Sequence, residues 1–224
     1  MGRLLSGALI CMLVGPAALW GDTFADSRDG GTYRSVRIGG HVWMAENLAY
    51  LPKVSPPSTG SKADPHYYVY GYSGTNVSAA KETIYYAKYG VLYNWAAAQN
   101  ACPSGWHLPS DEEWEQVAEL ISKEKGGYSK GDHFWTNVGG HLKAKSGWNS
   151  DGNGTDDYGF SGLPGGVRNA QGSFWGVGAA GVFWSSTERD SSSALDRSLA
   201  YYDSKSGFGP YGKEGGLSVR CVAD

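Results

Sequence analysis

The strongest periodic signal in the chain lies between positions 110 and 126. Trp114, Val117, Ala118 and Ile121 recur at the i, i+3, i+4, i+7 spacing of one buried helical stripe. Ser110 and Glu113 have the spacing of a capping box, Asp111 and Glu112 put negative charge on the positive end of the helix dipole, and Gly126-Gly127 ends the segment. A second helix is predicted over residues 92–101, whose run of alanines has high helix propensity and is stopped by Pro103. Earlier, Thr32–Ile38 is rich in β-branched and aromatic residues, Gly39-Gly40 supplies a two-residue turn, and His41–Met44 returns, which predicts a hairpin. Residues 52–80 hold Pro52, Pro56, Pro57 and Pro65 among Ser, Gly and Thr and read as a long surface loop, with Tyr67, Tyr68, Tyr70 and Tyr72 in its second half. Beyond 127 the apolar segments are short and punctuated by glycine: 160–163, 174–175, 182–184, 199–201 and 217–220. Two helices followed by irregular, turn-rich strands predict an α+β domain, with no internal repeat and no second domain.

Residues 4–20 form an apolar run preceded by Arg3 and interrupted by Ser6, Gly15 and Pro16, shorter than the ~20 residues of a membrane span. Thr23-Phe24-Ala25 then offers small residues at the positions a signal peptidase reads. Residues 1–25 are therefore expected to be a cleaved secretory signal, a retained anchor being the other reading. That leaves 26–224 as a single exported domain without a membrane span. It also leaves Cys102 and Cys221 of the three cysteines. An even pair in an exported chain reads most simply as a disulfide; two free buried thiols or a catalytic cysteine are the alternatives.

Composition narrows the class. Of 224 residues 34 are glycine, or 15%, against a usual ~7%. Nine Trp, 15 Tyr and six Phe accompany them, while only 18% of residues are charged. That combination means tight turns joined to large flat side chains and excludes a helical bundle. A net charge of -3 lacks the basic surplus of a nucleic-acid binder, and 41% hydrophobic residues is too apolar for a disordered chain.

The set of local motifs resembles the Fibrobacter succinogenes major paralogous domain. Asp29-Gly30-Gly31-Thr32-Tyr33 is followed by Trp43-Met44-Ala45-Glu46-Asn47-Leu48. Tyr93-Asn94-Trp95-Ala96-Ala97 leads into Ala101-Cys102-Pro103-Ser104-Gly105-Trp106-His107-Leu108-Pro109. Glu113-Trp114, Gly159-Phe160-Ser161-Gly162-Leu163-Pro164-Gly165-Gly166, Trp184-Ser185-Ser186-Thr187-Glu188 and Ser218-Val219-Arg220-Cys221-Val222 complete the series in order, from about Asp29 to the end. The resemblance implies a C-type-lectin-like fold, with two helices, a small looped antiparallel sheet, and a disulfide from the first helix to the last strand that Cys102 and Cys221 would fit. Residues 51–89 depart from the pattern as an insertion. The family carries no settled activity, so the resemblance speaks to fold more than to function.

Candidate chemistry falls in the glycine-rich half. In Asp151-Gly152-Asn153-Gly154-Thr155-Asp156-Asp157, the side chains of Asp151, Asn153, Asp156 and Asp157 could supply oxygens to calcium, although turns use the same residues. Trp148, Trp175, Tyr201, Tyr202, Asp203 and Tyr211 suit a sugar, whose C–H faces stack on aromatic rings while its hydroxyls need paired hydrogen bonds. Trp184 reads as core. The five histidines are scattered, no serine sits in a nucleophile elbow, and His107 reads as a packed structural histidine, so no enzyme is expected. The expected molecule is a secreted or cell-surface, non-catalytic, monomeric binding module, its partner a plant-wall polysaccharide or another cell-surface ligand. The rivals are a variable protein-binding platform and an enzyme with an Asp-rich pocket.

Overall fold

A computed structural model describes residues 22–126 and 133–224. The first strand, β1 (Thr23–Ala25), pairs antiparallel with β2 (Thr32–Ile38), and β2 turns through Gly39, at φ +63°, into β3 (His41–Met44). That positive φ is the reason a glycine stands in the hairpin turn. The predicted hairpin is therefore present with its predicted bounds. Next come β4 (Tyr67–Tyr68), α1 (Val77–Lys81), α2 (Ile84–Tyr89), β5 (Leu92–Tyr93), α3 (Trp95–Ala98) and β6 (Trp106–His107). The long helix α4 (Asp111–Lys125) follows, then β7 (Phe134–Trp135) and α5 (Val138–Leu142). The chain ends in β8 (Gly165–Arg168), β9 (Phe174–Val177), β10 (Ala180–Glu188), β11 (Ser193–Ala200), β12 (Ser206–Gly212) and β13 (Val222–Ala223).

These strands make three sheets: β1-β2-β3-β13-β6, β7-β12-β11-β10-β8-β9, and the pair β4-β5. The α+β expectation of two helices over a small lectin-like sheet is overturned. The described residues are mostly β, with thirteen strands, and only α4 among the helices exceeds six residues. Local propensity misleads most clearly at 92–101. Leu92 and Tyr93 are buried and pair across to Tyr68 and Tyr67, and the Asn94 side chain caps the following turn by accepting from the Ala97 N–H. The helix therefore starts only at Trp95 and runs four residues. Burial across a strand pair outweighs a few tenths of a kcal/mol of helix propensity per residue.

The α4 prediction meets the structure closely. Ser110 Oγ accepts from the Glu113 N–H and Glu113 Oε2 accepts from the Ser110 N–H, and Trp114, Val117, Ala118 and Ile121 are the buried stripe. Such a cap stabilises a helix by about 1 kcal/mol. Gly126 is the C-cap; Gly127 lies outside the described residues.

Residues 52–80 are not wholly the surface loop the prolines suggest. Tyr68 and Val69 are fully buried, and the segment is strapped down by Arg168. The buried Arg168 guanidinium donates to the carbonyls of Pro57, Thr59 and Glu214 and lies 4.6 Å over the Tyr68 ring. Cys102 and Cys221 are bonded, with Cα atoms 5.9 Å apart, and tie the turn after α3 to the residue before β13. The next residue inward, Arg220, is fully buried and donates to Asn47 Oδ1 and to the Met44, Phe160 and Ser161 carbonyls. Burial lowers its pKa to about 9. Two hydrophobic cores result, one around Trp184, Tyr93 and Val167, the other around Trp43, Trp114 and Phe183. Of the expected leader 1–25, residues 1–21 lie outside the described residues and Thr23–Ala25 are β1.

Candidate functional site

The six-stranded sheet has two unlike faces, and its register sorts them. Trp184 pairs with Asp196 and Asp196 with Gly209; Val182 pairs with Ser198 and Ser198 with Gly207. Opposite residues share a face, so Val182, Trp184, Asp196, Ser198, Ala200, Gly207 and Gly209 stand on one side. Phe183, Arg197 and Leu199 stand on the other, beneath α4. There Phe183 packs against Trp114 with ring centroids 5.9 Å apart, and Arg197 pairs with Asp111 and Glu115.

On the first side Val182, Trp184 and Ala194 are buried in the first core, and only towards the β11–β12 turn do small residues leave a cavity. A cavity of about 280 Å³ is lined by Phe134, Ser198, Ala200, Tyr202, Asp203, Lys205 and Gly207. Further along β12, a Cβ built on Gly209 would meet no atom within 4 Å. Tyr202 is 74% exposed and edge-on to Tyr201, with centroids 5.4 Å apart. Lys205 Nζ sits 4.3 Å over the Phe134 ring, and Asp203 Oδ1 accepts from the Lys205 N–H. Below the floor, the buried Lys143 ammonium donates to the Ala200 and Asp203 carbonyls, and burial lowers its pKa. On the edge strand β9 Trp175 is 50% exposed, its indole within hydrogen-bonding reach of the half-buried Tyr211 hydroxyl, while the Tyr211 ring lies edge-on to Trp184 at 5.9 Å. Burial raises the Tyr211 pKa, and the Asp196 charge adds to it.

Outside the cavity, between Trp184 and Gly209 in the sheet, lies Asp196, which the sequence did not single out. It is 7% exposed, and among the described residues no hydrogen bond or ion pair reaches its carboxylate. Burial pushes its pKa up to about 7, with the Arg197 charge opposing. Its signal was alternation: Asp196, Ser198 and Ala200 face one way, Arg197 and Leu199 the other.

Of the six predicted ligand residues, Tyr202 and Asp203 line the cavity, Trp175 and Tyr211 lie elsewhere on the same sheet, and Tyr201 packs against the second core. The sixth, Trp148, is 5% exposed, packed in the core with its indole N–H donating to the Gly162 carbonyl, and has no face to offer a ligand. Three of the four expected calcium ligands are engaged within the protein. Asp156 accepts from Ser161 N–H and Oγ, Asn153 Oδ1 accepts from the Trp148 N–H, and Asp157 pairs with Lys125 and His141. The bond from Lys125 leads the causes that lower the Asp157 pKa to about 2. Asp151, Asp156 and their neighbour Ser150 adopt positive φ, the mark of turns. No group of three His, Cys, Asp or Glu side chains among the described residues could hold a metal ion. His107 is not a packed core residue: it is exposed on one side and bridges Glu113 and Asp224 at 2.8 Å each.

A second cavity, about 290 Å³ between β2, β3 and α2, includes Arg34, Glu46 and Tyr86. Within it Arg34 pairs with Glu46, and the Tyr86 hydroxyl donates to the Ala49 carbonyl.

Residues 36–223 match the Fibrobacter succinogenes major domain. The chain belongs to that family. No curated protein and no solved structure matches it. Within this Fibrobacter succinogenes major domain, the motif residues Asn47, Cys102, Trp184, Arg220 and Cys221 are all structural, building the two cores and the bonds between them. The cavity beside Tyr202 is lined by other residues.

Proposed function

We propose that this domain is an exported, non-catalytic binding module that takes a polysaccharide chain at the cavity end of its six-stranded sheet. The observation that carries the reading is the exposed Tyr202 ring at a cavity lined by Ser198, Ala200, Asp203, Lys205 and Gly207, with a second exposed ring, Trp175, on the edge strand of the same sheet. Aromatic faces stack on sugar C–H faces, and Ser198, Asp203 and Lys205 supply hydrogen bonds that fix orientation. No helix among the described residues is long and apolar enough to cross a membrane.

The test is retention of the whole protein on insoluble plant-wall polysaccharides, compared with the Trp175→Ala/Tyr202→Ala double variant. Retention is expected to survive ~1 M salt, because stacking and hydrogen bonds are not screened as ion pairs are. It is also expected to survive a chelator, because the Asp151–Asp157 loop holds itself by turns. Failure of every polysaccharide to retain the wild type, or equal retention of the double variant, overturns the proposal.

A further inference from the structure

The cavity between β2, β3 and α2 shares no residue with the one beside Tyr202, and its walls include the cations Arg34 and Lys88 and the acid Glu46. Hydrogen-bond donors are in surplus there. Both oxygens of Glu46 are already used: Oε2 accepts from the Arg34 N–H at 2.9 Å and Oε1 from Arg34 Nε at 3.2 Å. Among the described residues the two terminal nitrogens of Arg34 make no hydrogen bond, and the Lys88 ammonium makes neither a hydrogen bond nor an ion pair. Lys88 Nζ lies 5.2 Å from the Tyr89 ring centroid, and Tyr89 also lines the cavity.

A third positive charge lies behind the wall. The fully buried Arg220 guanidinium is held by the Asn47 side chain and the Ser161 carbonyl, and both of those residues line the cavity. Its other acceptors are the Met44 and Phe160 carbonyls, so all four are neutral. Glu46 and Asp156 act on its charge only through space, and Arg34 opposes it. A buried cation with no anion bonded to it is costly, and its field is screened less than it would be in water. Arg34, Lys88 and Arg220 together therefore favour an anion that accepts hydrogen bonds. A volume of about 290 Å³ is at the small end of ligand sites and suits one hexose-sized body. Tyr86, Tyr89 and Leu163 offer apolar wall to ring C–H groups, and Thr32 offers a hydroxyl.

We propose that this cavity is a second ligand site, which takes a single uronic acid residue with its carboxylate held by Arg34 and Lys88. The assignment stands apart from the reading of the sheet cavity. Both cations are exposed, so the carboxylate is expected to gain about tenfold in affinity, the scale of one charge-assisted hydrogen bond.

Titration calorimetry of the whole protein at pH 7 with galacturonate, galactose and inorganic phosphate tests it, with polygalacturonate as the polymeric source of the same group. Galacturonate is expected to bind about tenfold more tightly than galactose. Raising salt is expected to weaken that binding, in contrast to retention at the sheet cavity. Arg34→Gln/Lys88→Gln is expected to erase the preference with little change in melting, since both side chains are exposed. Glu46→Gln removes the competing acid and is expected to tighten galacturonate. Equal affinity for galacturonate and galactose, tighter binding of phosphate, a preference that survives in the double variant, or polygalacturonate bound without the monomer overturns the assignment. Tyr202→Ala is expected to leave galacturonate affinity unchanged. Its loss in that variant would put the acidic sugar at the sheet cavity, overturning the second site and leaving the polysaccharide reading standing. Failure of neutral polysaccharides to retain the protein, with galacturonate still preferred, does the reverse.

Discussion

The two faces of the six-stranded sheet are made by alternate residues of the same strands, yet they are built to opposite ends. The face under α4 is large and dry: Phe183, Leu199 and Arg197 meet Trp114 and the helix carboxylates, and the surface left to solvent is small. The other face is divided: Val182, Trp184 and Ala194 are buried in the first core, while Ser198, Ala200 and Gly207 leave a cavity beside the exposed Tyr202. The packed parts use side-chain volume to fill space, and the cavity end uses its lack of volume to leave space. One strand can do both because its side chains alternate, so selection for packing on one face leaves the other free.

Perturbing each face separately sharpens that contrast. The largest effect is expected from Phe183→Ala on the covered face. It should cost about 3–5 kcal/mol of stability by leaving a cavity among Trp114, Phe160 and Phe183's other neighbours, measured by denaturant unfolding. An effect below about 1 kcal/mol would mean the helix does not depend on this face. Trp175→Ala on the edge strand should lower polysaccharide affinity about tenfold, equal to about 1.4 kcal/mol. Its melting temperature should move little, because half of the ring is already in solvent. Ala200→Leu should fill the cavity it lines and lower retention, with a smaller change in melting than Phe183→Ala; retention equal to wild type would mean the cavity takes no ligand. The smallest effect concerns neither face. Burial alone would lower the His107 pKa, but its bonds to Glu113 and Asp224 outweigh that and raise it. Its contribution to stability is complete below the ordinary value of about 6.5 and is lost as pH rises through the higher folded value. His107→Gln should remove that slight pH dependence, slight because the group is part-exposed, and leave retention unchanged.

What could be read in the sequence was whatever is decided locally. The α4 cap and stripe and the Gly39-Gly40 hairpin rest on interactions within a few residues, and both stand in the structure where the spacing puts them. Residues 92–101 failed because their fate depends on Tyr67 and Tyr68, which lie more than twenty positions away. The proline-rich segment failed for a similar reason: Arg168, over a hundred residues later, holds Pro57 and Thr59 in place. At the site, Tyr202 and Asp203 share one turn and so were visible together. Asp196 was not, because beside Arg197 it reads as one of a solvated pair, and only the pairing to Trp184 and Gly209 places it on the Trp184 side. The Asp151–Asp157 run could not be resolved by sequence at all, since a turn and an ion loop use the same residues.

The short strand β1 sets a boundary on how this molecule can be matured. Thr23–Ala25 pair with Thr32, Tyr33 and Arg34, Phe24 stacks on Trp106 at 4.2 Å, and the Asp22 carbonyl accepts from Ser35. Directly after it, the Asp26 N–H donates to the Gly31 carbonyl and the fully buried Asp26 carboxylate is held by Arg28, whose guanidinium also reaches the Ala101 carbonyl. A peptidase that cut after Ala25 would strip the outermost strand from its sheet and put a new ammonium group into that bonded corner. A finished chain that keeps the strand therefore begins at or before Asp22, a point that the intact mass of the protein purified from its source reads directly.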